Sequence, residues 1–372
     1  MYRLFINIIL SILLRLRFTS ILIAAVISIF ITSLPVLAID IDVEYEIEQE
    51  SDNPVDVTLI SSNKNPIDEI KVLITDNKDW RVPVKNSIVE KIGRMKGMLK
   101  VNGLQYSGKL DIYKDMQGMY VVNSIPIENY VKSVVMSELL PNWNFEALKV
   151  QAVIARTYAI NHILNKPNGL YHLTSSTNHQ MYNGNDFTAM VSRAVDKTAG
   201  EVLTYDGKVI IAYYHSSSVG KTELPDEVFH KEYPYLKSVE SDGSLSKMAE
   251  WTREIPFTDI ETALKIKDII NVSIDSYTKT GRVKTLKITG RNNVIIIEAK
   301  DFRKLIGWKV LPSTMFTIEE SKKALIVTGS GYGHGVGLSQ WGSLKMAKDG
   351  ENYRKILSHY YPGTTIKLYD DL

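Results

Sequence analysis

The sequence predicts an α+β protein in which mixed β-sheets surround a central helix pair and a smaller α/β lobe is inserted late in the chain. Three observations carry this. Short apolar runs alternate with polar residues from Glu69 to Val122 (IKVLI, GMLKV, KLDIYK, GMYVV), the pattern of half-buried antiparallel strands. From Ile125 to Leu164 the period lengthens to three and four residues, as in two consecutive helices. Alternation returns between residues 240 and 320, interrupted by short helical stretches. The 372 residues therefore divide into a leader (1–38), N-terminal strands with the main part of the core (39–239), an accessory lobe (240–320) and a C-terminal return to the core (321–372).

The leader carries only Arg3, Arg15 and Arg17 as charges and runs into the apolar stretch Phe18–Ala38, whose 21 residues are long enough to span a bilayer. Small Ala38 after Val36-Leu37, with Pro35 before them, suits a cleaved signal peptide. The long apolar stretch and long basic flank suit a membrane anchor. Either outcome places the bulk of the chain outside the cytoplasm. Without those three arginines the chain has 41 basic against 42 acidic residues, a balance that offers no footprint for nucleic acid. Hydrophobic and charged fractions of 44% and 23% are those of a globular protein. The absence of cysteine excludes disulfides, thiolate catalysis and thiolate metal sites.

Residues 39–66 open with the acidic alternation IDIDVEYEIE, an edge-strand pattern, followed by the turn segments SDNPV and SSNKNP. After the strands up to Val122, Ser124 is the expected N-cap of a first helix, with Pro126 near its first turn, Glu128 favourably placed for the helix dipole and Pro141 at its end. Ile127, Val131, Val134 and Val135 form its apolar stripe, and the next position on that face is Glu138. A carboxyl group there is either solvated or paired with Lys132 or Lys149, or it is desolvated. In the last case its pKa rises and it becomes a proton donor near neutral pH. The second helix starts after Asn144, carries Glu146 in its first turn and runs to about Leu164, before Lys166-Pro167. Folded back across the PNWN turn, it brings Gln151 and Arg156 toward Glu138.

A polar loop over 165–187 leads to a short helix, Thr188–Thr198, and a strand pair, EVLTY and VIIAYYH, around Asp206-Gly207. The second strand delivers the segment His215-Ser216-Ser217-Ser218-Val219-Gly220-Lys221-Thr222-Glu223. Its Gly-Lys-Thr is no phosphate loop, because His215 stands where the first glycine is needed. In the lobe, Trp251–Ile255 reads as a strand closed by Pro256 and Thr258–Lys267 as a helix. A hairpin around Lys279-Thr280-Gly281, a strand and a short helix follow. Nothing in the lobe demands chemistry, so it reads as scaffold or docking surface. The last segment, Gly329–Gly350, has glycine at 329, 331, 333, 335 and 337, leaving one face of the backbone bare for a ligand or a second chain. His334, Gln340 and Trp341 beside it combine hydrogen-bonding groups with a broad aromatic face, which suits carbohydrate.

Three segments together resemble the stage II sporulation protein D family, which includes related amidase-enhancer proteins. They are IPIENYVKSVVMSEL with FEALKVQAVIARTYA, YDGKVIIAYYHSSSVGKTE, and GYGHGVGLSQWG with ILSHYYPGTTI, within roughly Gly103–Leu368. The resemblance implies a lytic transglycosylase that cleaves peptidoglycan glycan strands stripped of stem peptides, during engulfment in sporulation, or a noncatalytic enhancer of an amidase. It implies a cell-wall amidase and a membrane component of the engulfment machinery as partners, and no cofactor. Glu138 stands at the family's catalytic position. Lys149, Gln151 and Arg156, then His215, Ser216, Ser217, Ser218, Lys221 and Glu223, then His334, Gln340 and Trp341, match the motifs that line the glycan cleft. A direct salt bridge from Arg156 or Lys149 to Glu138 would lower its pKa and oppose an acid role. Some family members bind zinc through Cys and His before a Gln-x-Tyr motif. Here that segment, YHLTSSTNHQMYNG, has His172 and His179 but no Cys, so no structural zinc is expected and the loop must be ordered by hydrogen bonds and packing.

Overall fold

The computed structural model describes residues 69–74, 89–101, 103–116, 118–140, 142–184, 186–319 and 321–372. The expected leader and the acidic strand of 39–66 lie outside them. Among the described residues no helix is long and apolar enough to cross a membrane.

The first sheet contains β1 (Glu69–Ile74), β2 (Glu90–Lys96), β5 (Lys109–Lys114) and β6 (Met119–Pro126), with a small hairpin of β3 (Leu99–Val101) and β4 (Leu104–Tyr106) beside it. Strand order is β2-β5-β6-β1, antiparallel throughout, and the short β7 (Leu173–Thr174) joins parallel to β1. Helix α1 (Ile127–Glu138) follows β6 without a break. The expected cap at Ser124 is therefore not made: Ser124 lies in β6, opposite Lys71 on one side and Lys109 on the other, and no side chain caps the helix. Pairing on both edges satisfies the backbone that a cap would have served.

Helix α1 buries Ile127, Tyr130, Val131, Val134 and Val135 and stops at Glu138, where Leu139 turns to extended backbone. Asn144 caps α2 (Phe145–Asn165), its side chain accepting from Glu146 N at 2.8 Å. Helix α2 is buried around most of its circumference, and Ala147, Ala152, Ala155 and Ala159 let its neighbours approach closely. Those neighbours include α1, α3 (Ala189–Asp196, capped by Thr188) and β8 (Glu201–Tyr205). Strand β8 turns at Asp206-Gly207, both with positive φ, into β9 (Lys208–Val209). The expected long second strand is divided. After β9 the chain re-forms as β10 (Tyr214–His215) in a different sheet, then β11 (Val219–Lys221), the short helix α4 (Pro225–Phe229) and β12 (Glu240–Asp242).

The lobe comprises β13 (Trp251–Pro256), α5 (Phe257–Leu264), β14 (Ile269–Tyr277), β15 (Val283–Gly290), β16 (Val294–Glu298), α6 (Ala299–Ile306), β17 (Phe316–Glu319) and β18 (Ala324–Gly329). Two three-stranded antiparallel sheets, β13-β18-β17 and β14-β15-β16, enclose an apolar cluster running from Trp251 to Val327. Its last strand thus extends past residue 320 to Gly329. The chain returns to the core through β19 (Leu338–Ser339), parallel to β10, then α7 (Gln340–Lys348), α8 (Tyr353–Tyr360) and β20 (Thr365–Leu368), which pairs with β8.

Candidate functional site

A cleft of about 950 Å³ opens between core and lobe. Its core wall is made by Glu138, Gln340 and the segments 177–179, 213–216 and 332–334. The lobe wall comes from residues between Lys300 and Thr314. Helix α1 delivers Glu138 here because its apolar stripe is consumed by packing one turn earlier and the helix ends on the carboxylate.

Glu138 is half-buried, and its contacts are all with neutral donors. Oε1 accepts from Met181 N at 2.9 Å and from the Tyr214 hydroxyl at 3.0 Å, while Oε2 faces the Gln340 amide at 3.4 Å. Burial pushes its pKa above the usual carboxylate range, opposed in turn by the Met181, Tyr214 and Gln340 hydrogen bonds. Gln340 Nε2 also lies 3.4 Å from Gln151 Oε1, so Gln151 acts behind Gln340. Lys149 pairs with Glu146 at 2.5 Å, Lys132 with Asp196 at 2.8 Å. Arg156 is fully buried and makes a bidentate pair with Glu128, at 2.7 and 2.6 Å. The helix pair is antiparallel: Gln151 comes level with the end of α1, but Arg156 comes level with its start.

The serine-rich and glycine-rich segments are zipped together. Ser217 exchanges backbone hydrogen bonds with Tyr332, Glu223 bridges to Val336, and β10 pairs with β19. A Cβ on Gly337 would fall 2.0 Å from the Tyr213 carbonyl oxygen, and one on Gly335 2.7 Å from the Arg282 guanidinium carbon. The bare face of the alternating glycines therefore meets this chain's own 213–218 segment and an arginine of the lobe, where a ligand or second chain was the expectation.

His215 Nδ1 donates to the Val336 carbonyl at 3.2 Å, so its Nε2 accepts from Ser218 Oγ at 2.6 Å; Arg282 Nη2 donates to the same Oγ at 2.9 Å. Burial holds His215 well below its ordinary pKa and lowers His334 to about 4, so both rings are neutral near pH 7. Glu223, also buried, accepts from Leu224 N and from the Thr278 hydroxyl, each at 2.7 Å, with Arg282 Nε 4.0 Å away. Ser218 N donates to Ser339 Oγ, Trp341 N to the Ser216 carbonyl, and the Trp341 ring meets Trp143 edge-on. Lys221 is exposed, 3.6 Å from Glu240. Of the sequence-derived candidates, the structure brings Glu138, His215, Ser216, His334 and Gln340 to the cleft surface. Gln151, Ser217, Ser218, Glu223 and Trp341 support them, and Lys149, Arg156 and Lys221 lie elsewhere.

Sequence reasoning missed Tyr214, Met181 and Arg282. Tyr214 is half-hidden by the apolar run before His215. Met181 contributes only its backbone N–H, which no side-chain pattern reveals, although it sits inside the Gln-x-Tyr motif. In that motif Gln180 Oε1 accepts from Tyr130 and the Tyr182 hydroxyl donates to Asn123. Hydrogen bonds to its two histidines help order the loop before it. Nδ1 of His172 accepts from Lys71 N, Nδ1 of His179 from Thr174 N, and burial lowers both pKa values to about 4. Among the described residues no three His, Cys, Asp or Glu side chains are grouped to hold a metal.

Comparison with known proteins relates the chain to a family at the level of sequence. The profile of the stage II sporulation protein family matches residues 115–205, and that of a domain of unknown function matches 240–337. An uncharacterized protein of Brachyspira hyodysenteriae is 37% identical over 279 residues, 73% of this chain and 74% of the relative. Stage II sporulation protein D of Bacillus subtilis is 32% identical over 278 residues, 67% of this chain and 76% of the relative. The amidase enhancer of Bacillus subtilis is 30% identical over 291 residues, and the chain spans only 40% of its length.

Proposed function

The chain belongs to the stage II sporulation protein D family, and from that premise we propose that it remodels the cell wall as a peptidoglycan lytic transglycosylase acting on denuded glycan strands during engulfment. The observation that carries this reading is Glu138: a half-buried carboxyl group on the cleft wall, raised in pKa by burial and, among the described residues, touched by no cation.

Two donors fill Oε1, so in the protonated form the acid proton would sit on Oε2, toward the cleft side held by Gln340. That proton passes to the glycosidic oxygen as the bond after N-acetylmuramic acid breaks and positive charge develops on the sugar ring. The three donors then stabilise the new carboxylate, which takes the proton from the sugar's own C6 hydroxyl as that oxygen closes on C1. The product end is a 1,6-anhydro sugar, and Glu138 is returned to its acid form. Because the nucleophile is part of the substrate, one carboxylate suffices and proximity supplies much of the rate. Gln340, His215, Ser216 and His334 border the reacting sugars. An amidase that strips stem peptides is the natural partner, and an N-terminal anchor or signal in residues 1–38 would place the cleft outside the cytoplasm.

Similarity to the amidase enhancer favours a second reading, a glycan-binding enhancer without turnover. Incubation of the full chain with denuded strands, followed by mass spectrometry, separates the two. Anhydro ends made by wild type and reduced about 10³-fold in Glu138→Gln support the transglycosylase. Reducing ends indicate hydrolysis. Glycan binding without product in either protein indicates the enhancer, and full turnover by Glu138→Gln removes Glu138 from the chemistry.

A further inference from the structure

The wall facing Glu138 has a chemistry of its own. Among the described residues, every cation lining the cleft comes from the lobe: Lys300, Arg303, Lys304 and Lys309, with Asp301 as the carboxylate among them. Two of the four are committed inside the protein. Lys300 pairs with Glu298 at 2.9 Å and donates to the Val228 carbonyl. Arg303 is buried, its Nε and Nη2 donating to the carbonyls of Leu311 and Pro312 at 2.7 Å each. That clamp fixes the turn after α6 and places the guanidinium 4.4 Å from the ring centroid of Trp308. Trp308 is thus supported from one side by an immobilised cation, yet it remains 43% exposed at the cleft. Lys304 and Lys309 are exposed, and among the described residues neither forms an ion pair.

A large indole left in water gains nothing from burial, and a fixed one loses little rotamer freedom when a ligand arrives. Fixed aromatic faces suit the apolar side of a sugar ring, and unpaired ammonium groups nearby suit a carboxylate. We propose that this lobe wall is a subsite for the carboxylate-bearing sugars of the glycan strand: Trp308 stacks on a ring, and Lys304 and Lys309 pair with lactyl carboxylates. The inference rests on the glycan reading of the cleft and extends it, since the lobe, read from sequence as scaffold or docking surface, becomes the part that distinguishes acidic from neutral strands.

The test measures binding by calorimetry in full-chain Glu138→Gln, which does not consume the ligand, with soluble denuded strands and the same strands after carboxyl reduction. Adding Trp308→Ala should weaken binding to both ligands by about tenfold, the scale of losing one anchor, and Trp308→Phe should restore much of it. Adding Lys304→Glu with Lys309→Glu should weaken binding to the carboxylated strands by about tenfold or more and leave the reduced strands unaffected. Failure of the parent Glu138→Gln to bind any strand would overturn the glycan reading itself, and the subsite with it. A parent that binds, with variants that bind equally well or with a lysine effect equal on both ligands, would overturn the subsite alone.

Discussion

Glu138 is balanced between a neighbourhood that discourages its charge and three donors that welcome it. Desolvation is the larger influence, so the folded pKa lies above the unfolded value. Between those two values the folded state binds more protons than the unfolded one. Stability therefore falls as pH rises through this window, and the penalty persists above it. Glu138→Gln keeps an acceptor for Met181 N and Tyr214 while removing the charge, so it should raise Tm by about 1–3 °C at pH 8 and by less at pH 4, and should lower the proposed turnover by about 10³-fold. A scanning calorimetry series across pH that finds the mutant less stable at pH 8 would contradict a desolvated acid. In the proposed transglycosylase reaction the same balance would govern the rate. Wild-type kcat/KM should decline on the alkaline side as Glu138 loses its proton. Tyr214→Phe removes a donor to the carboxylate at 3.0 Å, so the alkaline limb should move upward by up to about one pH unit, the equivalent of one charge-assisted hydrogen bond. An unchanged limb in a pH–rate profile would mean that the Tyr214 hydroxyl does not reach the reacting group.

At the scale of elements, the α1–α2 pair shows how far the sequence could be read. The apolar period, the Asn144 cap with Glu146 after it and the Asp206-Gly207 turn each announce a local decision, and the structure follows them. Ser124 carried an equally good local signal, but pairing with strands remote in sequence overrode it. The glycine alternation was legible as close approach; what approaches is set by 213–218 and by a lobe hairpin, contacts that no local pattern encodes. Arg156 and Gln151 looked alike on paper. Their separation follows from the antiparallel hairpin, which puts Arg156 beside Glu128, with the carbonyl of Glu201 and the N–H of Gly200 completing the cluster. Arg156 is thus a joint between α1, α2 and the start of β8. Arg156→Met should cost about 2–4 kcal/mol in urea unfolding, less than a fully buried pair because Glu128 keeps some solvent, and should leave the proposed kcat of the folded protein within about twofold. A large loss of kcat at unchanged stability would instead mark Arg156 as a cleft residue.

Across the whole molecule, the core supplies Glu138 and the lobe the opposite wall, so the cleft exists only while the two keep their relative position. The β14–β15 hairpin secures it. Thr278 and Arg282, on either side of its turn, reach Glu223 and Ser218 of the core, and Ser218 carries the contact to His215 on the cleft surface. Arg282 and Glu223 are each about 1% exposed, so this link is a buried ion pair, whose attraction only offsets the cost of taking both charges out of water. Removing one partner should be worse than removing both. Arg282→Met should destabilise by about 3–5 kcal/mol, because Glu223 is then buried without its cation, and should lower turnover by loosening the wall behind His215. Combining it with Glu223→Gln should recover about half or more of the lost stability, since the uncompensated charge is gone while the Thr278 and Leu224 contacts persist. Turnover should recover only if those neutral contacts suffice to seat the lobe. Urea unfolding and anhydro-product formation on the two variants separate these effects: equal destabilisation in single and double variants would show that Arg282 serves packing alone, whereas recovered stability with turnover still depressed would locate its functional work in holding the two walls of the cleft at their working distance.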